Sequence, residues 1–401
     1  MSRASTSESD RRACLAEAGH NFLRVPSDRV GFELFSDVPS RVLVPDGDRG
    51  READPDEIYA AFAPLTGDAK LALATKGRAA EIALVDALEL DGPPVVVTHG
   101  LFSTTQAALA RRAAVIEDLA LAGPATSDVD VAALEARLAK GGVHLVYLEV
   151  ANNAVFGWPL AEATVARARE ACDRHGAKLV LDAARPLANA AALGEDVVET
   201  ARKILGHAHA FTISCAKEFL VPTGSIVGST DAALIGRARM LLFKAGTSMS
   251  LIDPPQHRAD LRDGARYSLG HPQLIRDRLA LVRRVAAALV ECGVEVVQPV
   301  TAHAVYLPLA PALLPAGDIA AMLGLLAHLY AIANVRAQVT GTKRGPALRL
   351  AFPLCGPLDD TELGTLVTGV AAFMSRLDER VKLRAVPGQF DVPYFHLLEI
   401  V

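Results

Sequence analysis

Four short apolar runs punctuate the middle of this 401-residue chain: PVVVT (Pro94 to Thr98), HLVYLEV (His144 to Val150), KLVLD (Lys178 to Asp182) and AFTIS (Ala210 to Ser214). Helix-like stretches lie between them, at Ala108 to Leu121, Val131 to Ala139, Leu160 to His175 and Val197 to Ile204. Strands that alternate with helices of roughly 10 to 15 residues pair in parallel, because each helix carries the chain back to start the next strand in the same direction. A run that is apolar on both faces also needs cover on both faces, which the helices supply. Further helices are expected over Asp56 to Phe62 and Ala80 to Leu90, and another strand begins at Ser225 to Gly228. The pattern predicts an α/β fold whose large domain, residues 46–270, is built on a mostly parallel sheet.

Beyond that domain the rhythm changes. A helix from Ile275 to Cys292 leads into GVEVVQPV and AHAVYLPL, then an apolar helix near 319–332, a strand around ALRLAF and a last helix near 361–376. Residues 271–401 therefore read as a smaller α+β domain. Residues 1–45, with a short helix from Arg12 to Ala18 stopped at Gly19, read as an N-terminal arm and part of that smaller domain. The uncharged stretch from Val296 to Gly317 carries Pro299, Pro308, Pro311 and Pro315, and the apolar stretch from Ile319 to Val335 carries His328. Both suit a buried core rather than a membrane span.

Charge narrows the function. Lys and Arg number 41 against 46 Asp and Glu, a net charge of −5, so no basic excess is available to grip nucleic acid. The five cysteines (Cys14, Cys172, Cys215, Cys292, Cys355) are scattered, without zinc or redox spacing, as in proteins of a reducing compartment. No metal site is expected. The start, MSRASTSESDRR, lacks the apolar core of a secretion signal, and a cytoplasmic location is expected. Only nine residues are lysine, so any chemistry that needs an amine has few candidates.

In an open α/β sheet, ligands collect beyond the C-terminal ends of the strands. There the chain places Asn152 and Asn153 after HLVYLEV, Asp182 and Arg185 after KLVL, and Ser214 to Lys217 after AFTI. Upstream, TKGRAAE (Thr75 to Glu81) leads into a helix. Pyridoxal phosphate needs a lysine amine for its Schiff base and a carboxylate that keeps its pyridine nitrogen protonated. It also needs N–H groups, a hydroxyl and an Arg around its phosphate at a helix N-terminus. Lys217 supplies the amine in this reading and Asp182 the carboxylate. Gly77, Arg78 and Ser214 hold the phosphate with Lys76 nearby, and Phe102 stacks on the ring. No GxGxxG or P-loop occurs in a strand–loop–helix context.

These pieces resemble the tryptophanase and tyrosine phenol-lyase family, the β-eliminating lyases of the aspartate-aminotransferase fold (fold type I). RRACLAEAGHNFLRVPSDRVGFELFSD is similar to the family's N-terminal segment and sets Ser36 where relatives have a threonine near the substrate. ATKGRAAE is similar to the H-Q-G-R-G-A-E phosphate loop, and LFSTTQ to the Y-F-x-T-T motif of the stacking aromatic, here Phe102. ANNAVFGWPL resembles N-x-A-G-G-Q-P-V, which puts a cofactor-contacting asparagine at Asn153. LDAARPLANAAAL carries over Asp182 and Arg185, and ISCAKEFLVPTG carries over Ser214 and Lys217. AHAVYL resembles G-H-A-x-F, and LRLAFP resembles L-R-L-T-I-P, which makes Arg349 the clamp for the substrate α-carboxylate.

The resemblance implies pyridoxal phosphate, an amino-acid substrate, and a homodimer or homotetramer with shared active sites. It also implies β-elimination to pyruvate and ammonia, in which the freed Lys217 amine removes the α-proton and Arg185 orients the cofactor or substrate. Transamination, β-replacement and retro-aldol cleavage are the alternatives. Departures bear on the leaving group. The family's lysine pair is here Ala216 and Lys217, and its D-E-A-Y-x-G-S segment has no counterpart between Pro45 and Ala63. Its Y-G-G-L-x-G segment is replaced by GTSMSLIDPPQHRADLRDG, and Phe156-Gly157-Trp158 stand where G-G-Q would be, which sets two bulky rings close to the cofactor. Tyr394 stands roughly where tryptophanase has histidine. These changes remove the family's tyrosine acids, leaving Tyr59, His99 or Tyr267 as substitutes, and they remove the basis for carrying over a monovalent cation. A thiolate leaving group would need less acid help than an aromatic ring.

Overall fold

The chain opens with α1 (Glu8–Glu17), whose cap Ser7 accepts the Asp10 amide on its hydroxyl while the Asp10 carboxylate accepts the Ser7 N–H. A two-residue strand, β1 (Phe32–Glu33), comes next. In the computed structural model all residues are described except 1–5, 47–49, 51, 195, 250–254, 316, 317, 355, 357, 381, 386–397 and 401. Tyr394 and part of the segment after Thr247 therefore lie outside the described residues.

Residues 38–279 form one unit. It runs α2 (Pro55–Thr66), β2 (Lys70–Ala74), α3 (Gly77–Ala87), β3 (Val95–Thr98), α4 (Ser103–Ala110) and β4 (Val115–Asp118). It continues with α5 (Val131–Leu138), β5 (Leu145–Glu149), α6 (Glu162–His175), β6 (Lys178–Asp182), α7 (Pro186–Leu193) and α8 (Val197–Gly206). Then come β7 (Ala210–Ile213), α9 (Cys215–Glu218), β8 (Ser225–Ser229), α10 (Ala232–Lys244) and α11 (Pro255–Gly270). The seven strands form one sheet in the order β2-β8-β7-β6-β5-β3-β4, and only β8 runs against its neighbours. The central strands are buried, and Tyr147, Val180 and Val227 pack with Ala80, Leu84, Leu109 and Leu234 in one core. Each fully buried Leu or Val there contributes about 1.5–3 kcal/mol.

The division falls inside α12 (Gln273–Glu291), and residues 280–401 join residues 1–37 in a second unit. It adds β9 (Ala304–Pro308), α13 (Ile319–Ala333), β10 (Val335–Arg336), β11 (Gln338–Thr342), β12 (Gly345–Ala351), α14 (Asp360–Ser375), β13 (Leu383–Ala385) and β14 (Leu398–Ile400). Strands β11, β12 and β9 make an antiparallel sheet, and β1 pairs with β10 in parallel. The apolar helix α13 is wrapped in this unit's own core, with Leu326, Leu329, Tyr330 and Ile332 among Phe22, Leu348 and Phe373. No helix among the described residues is long and apolar enough to cross a membrane.

One expectation needs correction. The helix expected from Ala108 to Leu121 ends at Ala110, and Val115–Asp118 is instead the edge strand β4. Ala113 has φ +50°, which breaks the helix, and pairing with β3 then overrides the helix-forming composition. The Ala-rich run LALA, which carries no strand signature, is strand β2, held by its pairing with β8.

The register of this sheet aligns its strand ends. Glu149 pairs with Asp182 across β5 and β6, and Asp182 pairs with Thr212 across β6 and β7. Three polar side chains thus form one row at the C-terminal ends of parallel strands. Helix α11 approaches the segment after β7 so closely that a Cβ on Gly264 would sit 2.1 Å from the Phe219 carbonyl oxygen. Gly264→Ala is expected to cost about 1–3 kcal/mol, because backbone has to move. Unchanged urea unfolding in that variant would remove the close-approach argument.

Candidate active site

The turn from β2 into α3 builds one wall. Lys76 caps α3 without a side-chain hydrogen bond to the first turn, so the helix presents its opening N–H groups. Ser214 faces that start: a Cβ on Gly77 would lie 3.7 Å from its Oγ. The loop before β8 clamps the turn from behind. Thr223 Oγ1 and the Gly224 N–H both donate to the Thr75 carbonyl, at 2.6 and 2.9 Å, and Lys76 Nζ reaches the Pro222 carbonyl at 3.1 Å. Gly224 has φ +115°, a conformation that side-chain-bearing residues rarely adopt.

Lys217 stands on the one-turn helix α9, and its neighbour Glu218 ties that turn down. The fully buried Glu218 carboxylate accepts the Leu187 and Ala188 N–H groups at 2.8 and 3.0 Å, and the Arg278 guanidinium at 2.8 Å. Arg278 also donates to the Lys217 carbonyl at 3.4 Å. Burial pushes the Glu218 carboxyl up, against the pull of Arg278 and the two amides. Since α7 starts four residues after Asp182, the same tie links the lysine turn to the end of β6. Lys217 Nζ lies 5.8 Å from the centroid of the Phe102 ring.

A cavity of about 390 Å³ opens among these groups. Lys76, Gly77, Arg78, Phe102, Asp182, Ser214 and Lys217 all line it, so the structure brings together seven residues singled out in the sequence. Asp182 is nearly buried; its Oδ1 accepts the Ala184 N–H at 3.0 Å and its Oδ2 the Thr105 hydroxyl at 3.4 Å.

Two candidates of the same unit are not among the lining residues. Asn153 is buried with its backbone N–H and its Nδ2 both donating to Glu149 Oε1, at 3.2 and 3.0 Å, and it is not among the lining residues. Arg185 is buried at the start of α7 and does not line the cavity either. Ser36 and Arg349 belong to the other unit. There Arg349, on β12, donates to the Phe35 carbonyl at 3.3 Å and to the Gln338 side chain.

The substitute acids do not gather at the cavity. Tyr59 carries the Arg239 guanidinium over its ring, His99 bonds Ser127, and Tyr267 stacks on His271. Contrary to expectation, the Phe156 and Trp158 rings are buried against each other, 5.3 Å apart, and neither lines the cavity. Phe156 takes a left-handed turn (φ +61°) that folds both rings inward.

Six further lining residues had no functional reading in the sequence, and two of them are acids: Glu81 on α3 and Glu149 at the end of β5. Burial, and next the Asp182 charge, raises each carboxyl to about 7. The signal was present, because an acid ending the otherwise apolar run HLVYLEV has to be housed at a polar site. Among the described residues no group of His, Cys, Asp or Glu is arranged to hold a metal ion.

The profile of the family described as "Beta-eliminating lyase" matches residues 33–350. A "Probable tryptophanase" of Halobacterium salinarum is 29% identical over 421 residues, covering 91% of this chain and 92% of the relative. The tyrosine phenol-lyase of Symbiobacterium thermophilum is 26% identical over 369 residues, covering 84% and 80%. Among solved structures, a Leishmania major threonine aldolase superposes with a TM-score of 0.64 at 16% identity, covering 86% of this chain and 99% of its own. A serine palmitoyltransferase from S. paucimobilis, solved with bound PLP, gives 0.58 at 16% identity over 92% and 84%.

Two stability effects arise from this geometry. Glu218→Ala leaves Arg278 buried without its carboxylate and is expected to cost about 3–5 kcal/mol in urea unfolding. Glu81 has a folded-state value raised from 4.5 to about 7, so its contribution is fully present at low pH and is lost as pH rises through that interval. In the cofactor-free protein, Glu81→Gln should flatten the fall in stability between pH 4.5 and about 7; an unchanged pH profile would contradict the assignment.

Proposed function

This chain belongs to the beta-eliminating lyase family and is a pyridoxal-phosphate-dependent lyase, and from that premise we propose that it expels the β-substituent of an amino acid, releasing pyruvate and ammonia. The observation that carries the reading is one cavity lined by a lysine amine, an aromatic ring beside it, a nearly buried carboxylate and an uncapped helix start. That donor set fits the cofactor. The opening N–H groups of α3, with Ser214, Lys76 and Arg78, suit a phosphate; Asp182 suits a protonated ring nitrogen; Phe102 offers a face for the ring.

When bound, pyridoxal phosphate supplies an electron sink for charge developing at the substrate α-carbon. The chain's own residues do the rest. Asp182, fixed by Thr105 and the Ala184 N–H, keeps a proton on the ring nitrogen. Lys217 would hold the cofactor, and its Nζ would accept the α-proton. The tie of Glu218 to α7 keeps that amine at the mouth of β7 through both tasks. Arg349 is the proposed partner of the substrate α-carboxylate, Ser36 a neighbour of the substrate, and Arg185 and Asn153 support the cofactor from behind the cavity wall. A second copy of the chain is proposed to share the site.

Tyr59, His99 and Tyr267 are engaged elsewhere, which favours a leaving group that departs without much acid help, such as a thiolate. Purified protein should therefore release pyruvate from S-alkyl cysteines faster than from tryptophan or tyrosine. Keto acid or aldehyde in place of pyruvate, from every member of such a panel, would overturn elimination. Lys217→Ala should abolish the visible band of the lysine-bound cofactor and lower turnover by at least about a hundredfold.

A further inference from the structure

Glu149 is a carboxyl group with a divided environment. Its Oε1 accepts two hydrogen bonds, from the backbone N–H and the side-chain Nδ2 of Asn153. Its Oε2 is buried, finds no hydrogen-bond partner among the described residues, and belongs to a side chain that lines the cavity and is 2% exposed. Glu149 also pairs in register with Asp182 on the adjacent strand, so two carboxyls emerge side by side. A third, Glu81, lines the same cavity, with its Oε1 bonded to the Thr104 hydroxyl at 3.1 Å.

All three side chains are buried, and ionising three carboxyls that face one cavity carries a large electrostatic cost. The charged or titratable groups that act on Glu149 are Asp182 from β6, Lys217 from α9 and Tyr147 from its own strand; Glu81, Lys76 and Arg78 of the α3 side line the same cavity. Asp182 is the carboxyl held by a hydroxyl and an N–H, the arrangement that suits an anion. Glu149 has the pattern of a neutral acid: one oxygen accepting twice as a carbonyl, the other left to act as a hydroxyl. Burial raises its carboxyl in the same sense.

We propose that Glu149 is a positioning residue that stays protonated and donates a hydrogen bond from Oε2 to the phenolic oxygen of the cofactor. The choice of acceptor rests on chemistry. Besides its phosphate, pyridoxal phosphate carries one anionic oxygen, the phenolic one, and the phosphate is matched by the α3 side of the cavity. This inference depends on the cofactor reading of the cavity and adds a residue to it. Asn153 acts through Glu149, orienting the carboxyl rather than reaching the cofactor itself.

The test is the pH titration of the visible band of the lysine-bound cofactor, with cofactor affinity, in wild-type, Glu149→Gln and Glu149→Ala protein. A donor at the phenolic oxygen weakens that oxygen's hold on the proton it shares with the lysine nitrogen. Deleting the donor in Glu149→Ala should therefore move the titration to higher pH and weaken cofactor binding by about tenfold or more. Glutamine keeps both an acceptor and a donor, so Glu149→Gln should titrate close to wild type and bind within about threefold of it. If Glu149 were an anion, both variants would shift to lower pH and glutamine would be no better than alanine; that result overturns the proposal. Should either variant fail to fold, the infrared spectrum of Glu81→Gln holoenzyme decides: a protonated-carboxyl stretch near neutral pH supports the proposal, and its absence overturns it. Failure of wild-type protein to form the visible band at all would instead refute the cofactor reading.

Discussion

Parallel pairing of β3, β5, β6 and β7 is the constraint on which the rest of this molecule depends. Parallel strands need a crossover between each pair, and the crossovers put every C-terminal strand end at one edge of the sheet. Thr98, Glu149, Asp182 and Ile213 therefore finish at the same edge, although they are spread over more than a hundred residues. The register then decides which of these ends share a row. Glu149, Asp182 and Thr212 do, and all three line the cavity.

A sheet edge is a poor place to hold an amine steady, and the chain meets this with a buried ion pair. Glu218 joins the lysine turn to the first N–H groups of α7 and to Arg278, all in the interior. A buried pair of this kind is weak evidence for extra stability, since removing two charges from water is costly. Its value here is geometric. It ties the lysine turn to the helix that follows β6, and so to the strand that ends in Asp182.

The charge balance of the cavity differs from what its motifs suggest. The motifs point to one carboxylate and several cations; the fold adds Glu81 and Glu149. Both are held near 7 by burial and by Asp182, which puts them among the groups that can hold or share a proton under neutral conditions. Asn153, which the family resemblance sets against the cofactor, donates to one of these acids.

Periodicity and strand-end residues were enough to read the parallel sheet, the cofactor and the seven cavity residues, because apolar runs and motif spacing are local properties of the chain. Edge strand β4 and the Ala-rich β2 were not legible, since their identity comes from pairing with β3 and β8 rather than from their own composition. The same holds at the site. Residue types at Lys217, Asp182 and Gly77 carry their chemistry wherever they are met, whereas Glu149 and Glu81 acquire theirs only when folding removes water and sets them beside Asp182. The sequence by itself determined which reactive groups are present and at which strand ends; the tertiary structure alone decided which of them share one cavity, because burial and neighbouring charge exist only in the folded chain.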